Sequence, residues 1–89
     1  MDERDWITKL EKEGYREVTV CDNEPNTEFP KHTHKEATVH VVVQGEFTLF
    51  EKGHKKTVKT GGRIDIPAGT THTAKCGPEG CTFIVGIKS

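Results

Sequence analysis

The chain lacks any long hydrophobic run. Hydrophobic residues make up 31% of its 89 positions, and none of the uninterrupted stretches approaches the roughly 18 residues needed to cross a bilayer. The first residues, MDERDWITKLEKEGY, are acidic and amphipathic, whereas a secretory signal is basic and then apolar. These absences argue against a membrane partner and predict a cytoplasmic protein.

An excess of charge of one sign is also missing. The 13 basic and 14 acidic residues are intermixed and leave a formal net charge of -1. Without an extended positive field, the surface has nothing to attract a nucleic acid or an anionic membrane. The sequence therefore disfavours a nucleic-acid partner.

Serine and cysteine are scarce. The only serine is Ser89, the last residue, which excludes a serine nucleophile elsewhere in the chain. Three cysteines are an odd number in a sequence with no export signal, and they predict reduced thiols that folding does not need. Cys76 and Cys81 flank a predicted four-residue turn, and the pattern leaves open that they face each other on paired strands.

What the chain does contain begins with one helical pattern. The segment from Asp2 to Gly14 predicts a short helix that Asp2 caps and Gly14 ends, with Trp6, Ile7 and Leu10 on one face. About eight short strand patterns follow, with predicted turns where glycines stand. The last predicted hairpin pairs THTAKC with CTFIVGIK. Together these patterns predict one all-β domain over residues 1–89, a sandwich or barrel.

One strand pattern is rich in histidine. In the segment from Pro30 to Gln44, alternate positions of a single strand place His32, His34 and His40 on one face. The opposite face carries Val39, Val41 and Val43. A surface ribbon has no need of three valines on its second face, so the pattern indicates a barrel strand that is covered on both sides.

Two groups of residues resemble the two sequence motifs of the cupin superfamily. The first group is His32-Thr33-His34 with Gly45, and the second is Gly61, Pro67-Ala68-Gly69 and His72. The resemblance spans about residues 26–76, with the short spacing between motifs seen in part of the family. It implies a cupin-type antiparallel β-barrel, or jelly roll, with a short N-terminal helix. It also implies one divalent transition metal ion: Fe, Ni, Zn, Mn or Cu.

Three positions depart from the family motifs. Asn26 stands in place of a glycine, a mild change because asparagine also tolerates left-handed backbone. Thr38 stands where the family has its glutamate ligand, and Cys76 where it has a final asparagine. The missing glutamate puts the usual ligand set of three histidines and one glutamate in doubt.

The fourth ligand is therefore open. His40 lies two residues beyond the threonine on the same predicted face, so its ring can reach a metal held by His32, His34 and His72. It serves there either as a direct ligand or as a neighbour of the ligands. Glu36 has the same parity and is the weaker candidate, because the chain is expected to turn there.

The resemblance implies small-molecule chemistry at this metal, of the dioxygenase or isomerase type. The alternative is a non-catalytic barrel that holds a metal or a small ligand. A filled shell of four histidines with no acid or base nearby favours that alternative, whereas open positions and a carboxylate within reach favour catalysis.

The valine face predicts an assembly. A chain this short has a single helix with which to cover Val39, Val41 and Val43, and soluble monomers avoid an exposed apolar stripe. We therefore expect a homodimer whose contact includes this strand, with the helix of Trp6 packed beside it, as the cupin resemblance also implies.

Overall fold

The computed structural model describes residues 2–88, which form one helix and six strands. The helix α1 spans Glu3–Lys12. The strands are β1 (Arg16–Asn23), β2 (Glu28–Thr33), β3 (Ala37–Glu51), β4 (His54–Lys59), β5 (Arg63–Ile66) and β6 (Thr71–Lys88). All pairings are antiparallel, in the order β1-β6-β3-β4, with β2 also on β6 and β5 also on β3. The predicted all-β architecture with a short N-terminal helix is confirmed.

The helix forms where its capping residues predict it. The Asp2 carboxylate accepts a hydrogen bond of 2.8 Å from the backbone N–H of Asp5, and Gly14 ends the helix with a left-handed φ of 100°. Leu10 is fully buried, and Trp6 and Ile7 pack partly buried beside it. None of the helices within residues 2–88 is long and apolar enough to cross a membrane.

Two long strands replace the predicted hairpins. β3 continues through Gly45, and β6 continues through residues 77–80, so the turns predicted there are wrong. Gly45 has a φ of 80°, and a Cβ at this position would overlap the carbonyl oxygen of Gly80. The β3–β6 register shifts on both sides of Gly45, because the glycine forms a bulge rather than a turn. About eight predicted strands thus become six.

β3 and β6 each belong to two halves of the barrel. The half with β1 and β5 carries the helix, and the other half contains β2 and β4. Apolar side chains fill the interior between the halves; they include Val42, Phe47, Leu49, Ile64 and Phe83. This arrangement leaves the ends of β2 and β3 and the start of β6 close together, where the histidines lie.

The chain itself covers the valine face. Val39 and Val41 are fully buried in a second cluster outside the barrel, with Leu10, Tyr15 and Ile84. The expected exposed stripe is therefore wrong for these two valines, because they are buried in a cluster that also contains Leu10 of the helix and Tyr15. The homodimer loses this argument and stays a prediction.

The cysteines also differ from expectation. Cys76 and Cys81 form a disulfide, with Cα atoms 5.5 Å apart, and Cys21 is the free cysteine. The expectation of three reduced thiols is wrong for the bonded pair. Both cysteines lie on one strand, where residues 77–80 bulge out opposite Glu46 and bring the two Cα atoms together.

Candidate metal centre

Three of the four predicted ligands come together where β2 ends and β6 begins. His32 on β2 lies in register opposite His72 on β6, and His34 directly follows β2. Each offers one ring nitrogen, and these three nitrogens all lie within 4.8 Å of one another. The centroid of the His32 ring lies 4.5 Å from the centroid of the His34 ring and 4.3 Å from that of the His72 ring.

The predicted histidine strand is in fact two strands. β2 ends at Thr33 and β3 begins at Ala37, so His34 lies in the bend between them. The backbone N–H of Gly69 donates a hydrogen bond of 2.8 Å to the carbonyl oxygen of His34. The turn of Pro67 to Gly69 in the second motif therefore fixes the bend of the first motif, in addition to leading the chain to His72.

Hydrogen bonds hold the ring of His32 on both of its nitrogens. Nδ1 of His32 lies 2.7 Å from the carbonyl oxygen of Pro30 and donates its proton there, which leaves the Nε2 lone pair free. This Nε2 lies 2.9 Å from Nε2 of His34. Two nitrogens bound at about 2.1 Å to one ion lie about 3.0 Å apart at a right angle and about 3.4 Å apart at the tetrahedral angle. The observed spacing is that of a hydrogen bond between the two rings, and it is also close to the right-angle value for two ligands of one ion.

Burial favours the neutral form of two of the rings, those of His34 and His72. It lowers the pKa of His72, and the nearby His32 and His34 lower it further. The pKa of His34 is also lowered, by burial and then by His32. Histidine must be unprotonated to bind a metal, so burial favours the binding-competent form of His34 and His72.

His40 lies beside the three histidines and outside their group. Its ring stacks on Phe47, with centroids 5.1 Å apart and planes within 13°, and meets the edge of Phe83 at 4.9 Å. Burial, with smaller contributions from the three site histidines, lowers the pKa of His40 to about 4. Its Nδ1 is buried and has no hydrogen-bond partner among the described residues. A role as fourth ligand stays a prediction.

The other candidate positions do not add a ligand to the group. Thr38 is buried, and its hydroxyl finds no hydrogen-bond partner within residues 2–88. The carboxylate of Glu36 forms an ion pair with Arg16. Asn26 has a φ of 59°, which confirms that it takes the left-handed backbone of the glycine it replaces.

Sequence reasoning missed one acidic residue near the site. Glu51 is the last residue of β3, and its charge raises the pKa of His72 against the larger effect of burial. It shares strand parity with the buried Leu49. The alternation of inward-facing residues along the strand was the signal that could have identified Glu51. The turn expected at Gly45 placed Glu51 on a different strand from the histidines, so this signal was missed.

Comparison with known proteins supports the family. The family model described as a cupin domain matches residues 19–85. Among solved structures, a cupin-2 domain containing protein from Shewanella frigidimarina NCIMB 400 is 22% identical, with 81% of this chain and 69% of that chain covered and a TM-score of 0.71. An RmlC-like cupin from the same organism is 27% identical, with 79% and 62% covered and a TM-score of 0.70.

The cupin domain of Cnp3 from Schizosaccharomyces pombe is 16% identical, with 81% and 54% covered and a TM-score of 0.74. The chain thus spans between 54% and 69% of the length of these three structures. The curated proteins gave no match. Since the family model covers well over half of the chain, the protein belongs to the cupin family.

Proposed function

We propose that the protein binds one divalent transition metal ion through His32, His34 and His72 and acts as a mononuclear metal-dependent enzyme on a small molecule. The reaction class that we infer is dioxygenase- or isomerase-like. The observation that carries the proposal is the convergence of three ring nitrogens within 4.8 Å, with the Nε2 atoms of His32 and His34 at ligand spacing. An ion of this kind supplies Lewis acidity to the oxygen atoms of a substrate.

The residues around the three histidines support binding. The Pro30 carbonyl fixes the proton of His32 away from the site, and burial lowers the pKa of His72. On the inner side, the rings of Phe47 and Phe83 pack around His40 and exclude water from the barrel core. Three protein ligands leave positions for a substrate, as in catalytic metal sites.

A non-catalytic metal- or ligand-binding barrel is the second candidate. It is favoured by the buried Thr38 at the family's glutamate position and by the absence of a carboxylate from the group of three within residues 2–88. Water-proton relaxation of the protein loaded with Mn²⁺ separates the two candidates. Strong enhancement shows exchangeable positions and supports the enzyme, whereas a filled shell gives none.

Elemental analysis of protein purified without an affinity tag tests the metal site. We expect about one transition metal per chain, and we expect His34→Ala and His72→Ala each to lose it. His54→Ala is the matched control, because His54 is exposed on the β3–β4 hairpin. If both site variants keep full metal content, the site lies elsewhere.

A homodimer and a cytoplasmic location complete the proposal. The dimer now rests on the family resemblance alone, since the helix covers Val39 and Val41. Light scattering at micromolar concentration measures the mass directly. A monomeric wild type would remove the dimer from the proposal and leave the metal site unaffected.

A further inference from the structure

The three-histidine group has no negative charge of its own. Its rings are neutral when they bind, so a divalent ion held by them alone keeps its full double charge. Thr38 cannot supply a carboxylate; its short side chain is buried, in register opposite Ile66 of β5. An acidic residue from elsewhere in the fold would offset part of this charge.

Glu51 is placed opposite a ligand. The β3–β6 ladder ends at the pair of Phe50 and Thr73, so Glu51 and His72 are the next residues of the two strands. Glu51 has the parity of the buried Leu49, and His72 has the parity of the buried Ala74. Both side chains therefore face the barrel interior. Directly opposite residues of an antiparallel pair have Cβ atoms about 4.5–5.5 Å apart.

The carboxylate of Glu51 is available to an ion. None of the ion pairs in the described part of the chain includes it. It lines a cavity of about 340 Å³ together with Lys31, Lys52 and the turn residues 68–71. Lys31 and residue 71 are the chain neighbours of His32 and His72 and point to the opposite face of their strands, so this cavity lies beside the histidine group and none of the three histidines lines it.

We propose that Glu51 is the carboxylate of the metal centre, acting from β3 in place of the glutamate that Thr38 replaces. It reaches the ion directly or through one bridging water, since it lies outside the tight group of three histidines. The inference rests on the proposed function, because it requires that the histidines bind a metal. Its effect is a higher metal affinity.

Titration with Zn²⁺ and with Mn²⁺ tests the inference on the intact protein. We expect Glu51→Gln to weaken binding at least tenfold, as loss of a carboxylate around a metal site commonly does. Glu51→Asp keeps the charge on a shorter stem and should weaken binding less. Glu46→Gln is the matched control. Glu46 is also partly buried on β3, but it lies five residues before Glu51 along the strand, and its side chain packs against Gly77.

The melting temperatures of the metal-free variants exclude a folding defect. Without metal, we expect Glu51→Gln and Glu46→Gln to have the melting temperature of the wild type. With metal added, the melting temperature of Glu51→Gln should fall below those of the wild type and Glu46→Gln. Equal affinities of these two variants overturn the role of Glu51 while leaving the histidine site intact. A wild type that binds no metal, by contrast, refutes the proposed function itself.

Discussion

Replacing Leu10 by Ala tests whether the helix covers the valine face. Leu10 is fully buried, and its neighbours Val39, Val41 and Ile84 are fully buried as well. These three lie on paired strands, which limits how far they can move into the space that the substitution leaves. Large-to-small changes at such sites cost about 2–5 kcal/mol, and we expect about 3 kcal/mol here.

That loss is large for a small domain. It corresponds to a fall in melting temperature of about 12–24 °C, at roughly 4–8 °C for each kcal/mol. Urea unfolding gives the free energy, and the fluorescence of Trp6, the only tryptophan, reports the helix directly. Thr8→Ala is the control, because Thr8 is exposed on the same helix and should change stability by less than about 0.5 kcal/mol.

A loss below 1 kcal/mol in Leu10→Ala would refute the reasoning, since it would mean that the helix is not docked on the sheet. If Leu10→Ala is destabilised as expected and also forms an oligomer in light scattering, the helix shields an apolar surface that can bind a second chain. The exposed valines would then associate with a second chain, as the sequence pattern led us to expect of the wild type.

Four further predictions concern His40, Glu13 and the cysteines. We expect His40→Leu to weaken metal binding at least tenfold, whereas unchanged affinity would leave His40 as a core residue. Because burial lowers the pKa of His40 to about 4, the unfolded chain takes up a proton at this residue before the folded chain does as the pH falls. The free energy of unfolding of the metal-free protein should therefore decline by about 3 kcal/mol between about pH 6.5 and pH 4. Urea titrations of His40→Leu should lack this part of the decline. Hydrogen bonds of 2.7 and 2.9 Å from Arg63 lower the pKa of Glu13 to about 2, so the pair stabilises the fold above pH 4.5 and loses this effect as the pH falls towards 2. At this solvent-accessible position we expect Glu13→Gln to cost about 1 kcal/mol at pH 7 and to match wild type near pH 2. Alkylation followed by mass spectrometry should label Cys21 alone before reduction and all three cysteines after it, and three labels before reduction would contradict the Cys76–Cys81 bridge.

The helix and the three histidines could be predicted because their signals are local. Asp2 and Gly14 mark the ends of the helix through side-chain and backbone chemistry that needs no tertiary contact. His32, His34 and His72 stand at fixed offsets from the turn residues that position them, such as Gly69. In both cases the short-range pattern and the fold agree.

The strand count and the depth of His40 could not be predicted. A glycine with left-handed backbone is compatible with both a hairpin turn and a bulge. At Gly45 a bulge forms because the backbone of Gly80 on β6 packs closely against it, a tertiary contact that the local sequence does not reveal. Alternation along a strand fixes the side to which a residue points and does not fix its depth. His40 faces the same interior as His72, yet it lies among Phe47 and Phe83.

The pairing of β3 with β6 also determines when the metal site forms during folding. Ala37 pairs with Lys88 at one end of this ladder, and the neighbouring β2–β6 pair brings His32 opposite His72. Each of these pairs closes a long loop before any contact compensates for the lost chain entropy, so we expect the chain to fold slowly. We expect the three histidines to meet only after β6 is in place, late in the reaction. We therefore expect a metal ion bound by these histidines to change the folding rate little and to slow unfolding, which would lengthen the lifetime of the folded protein.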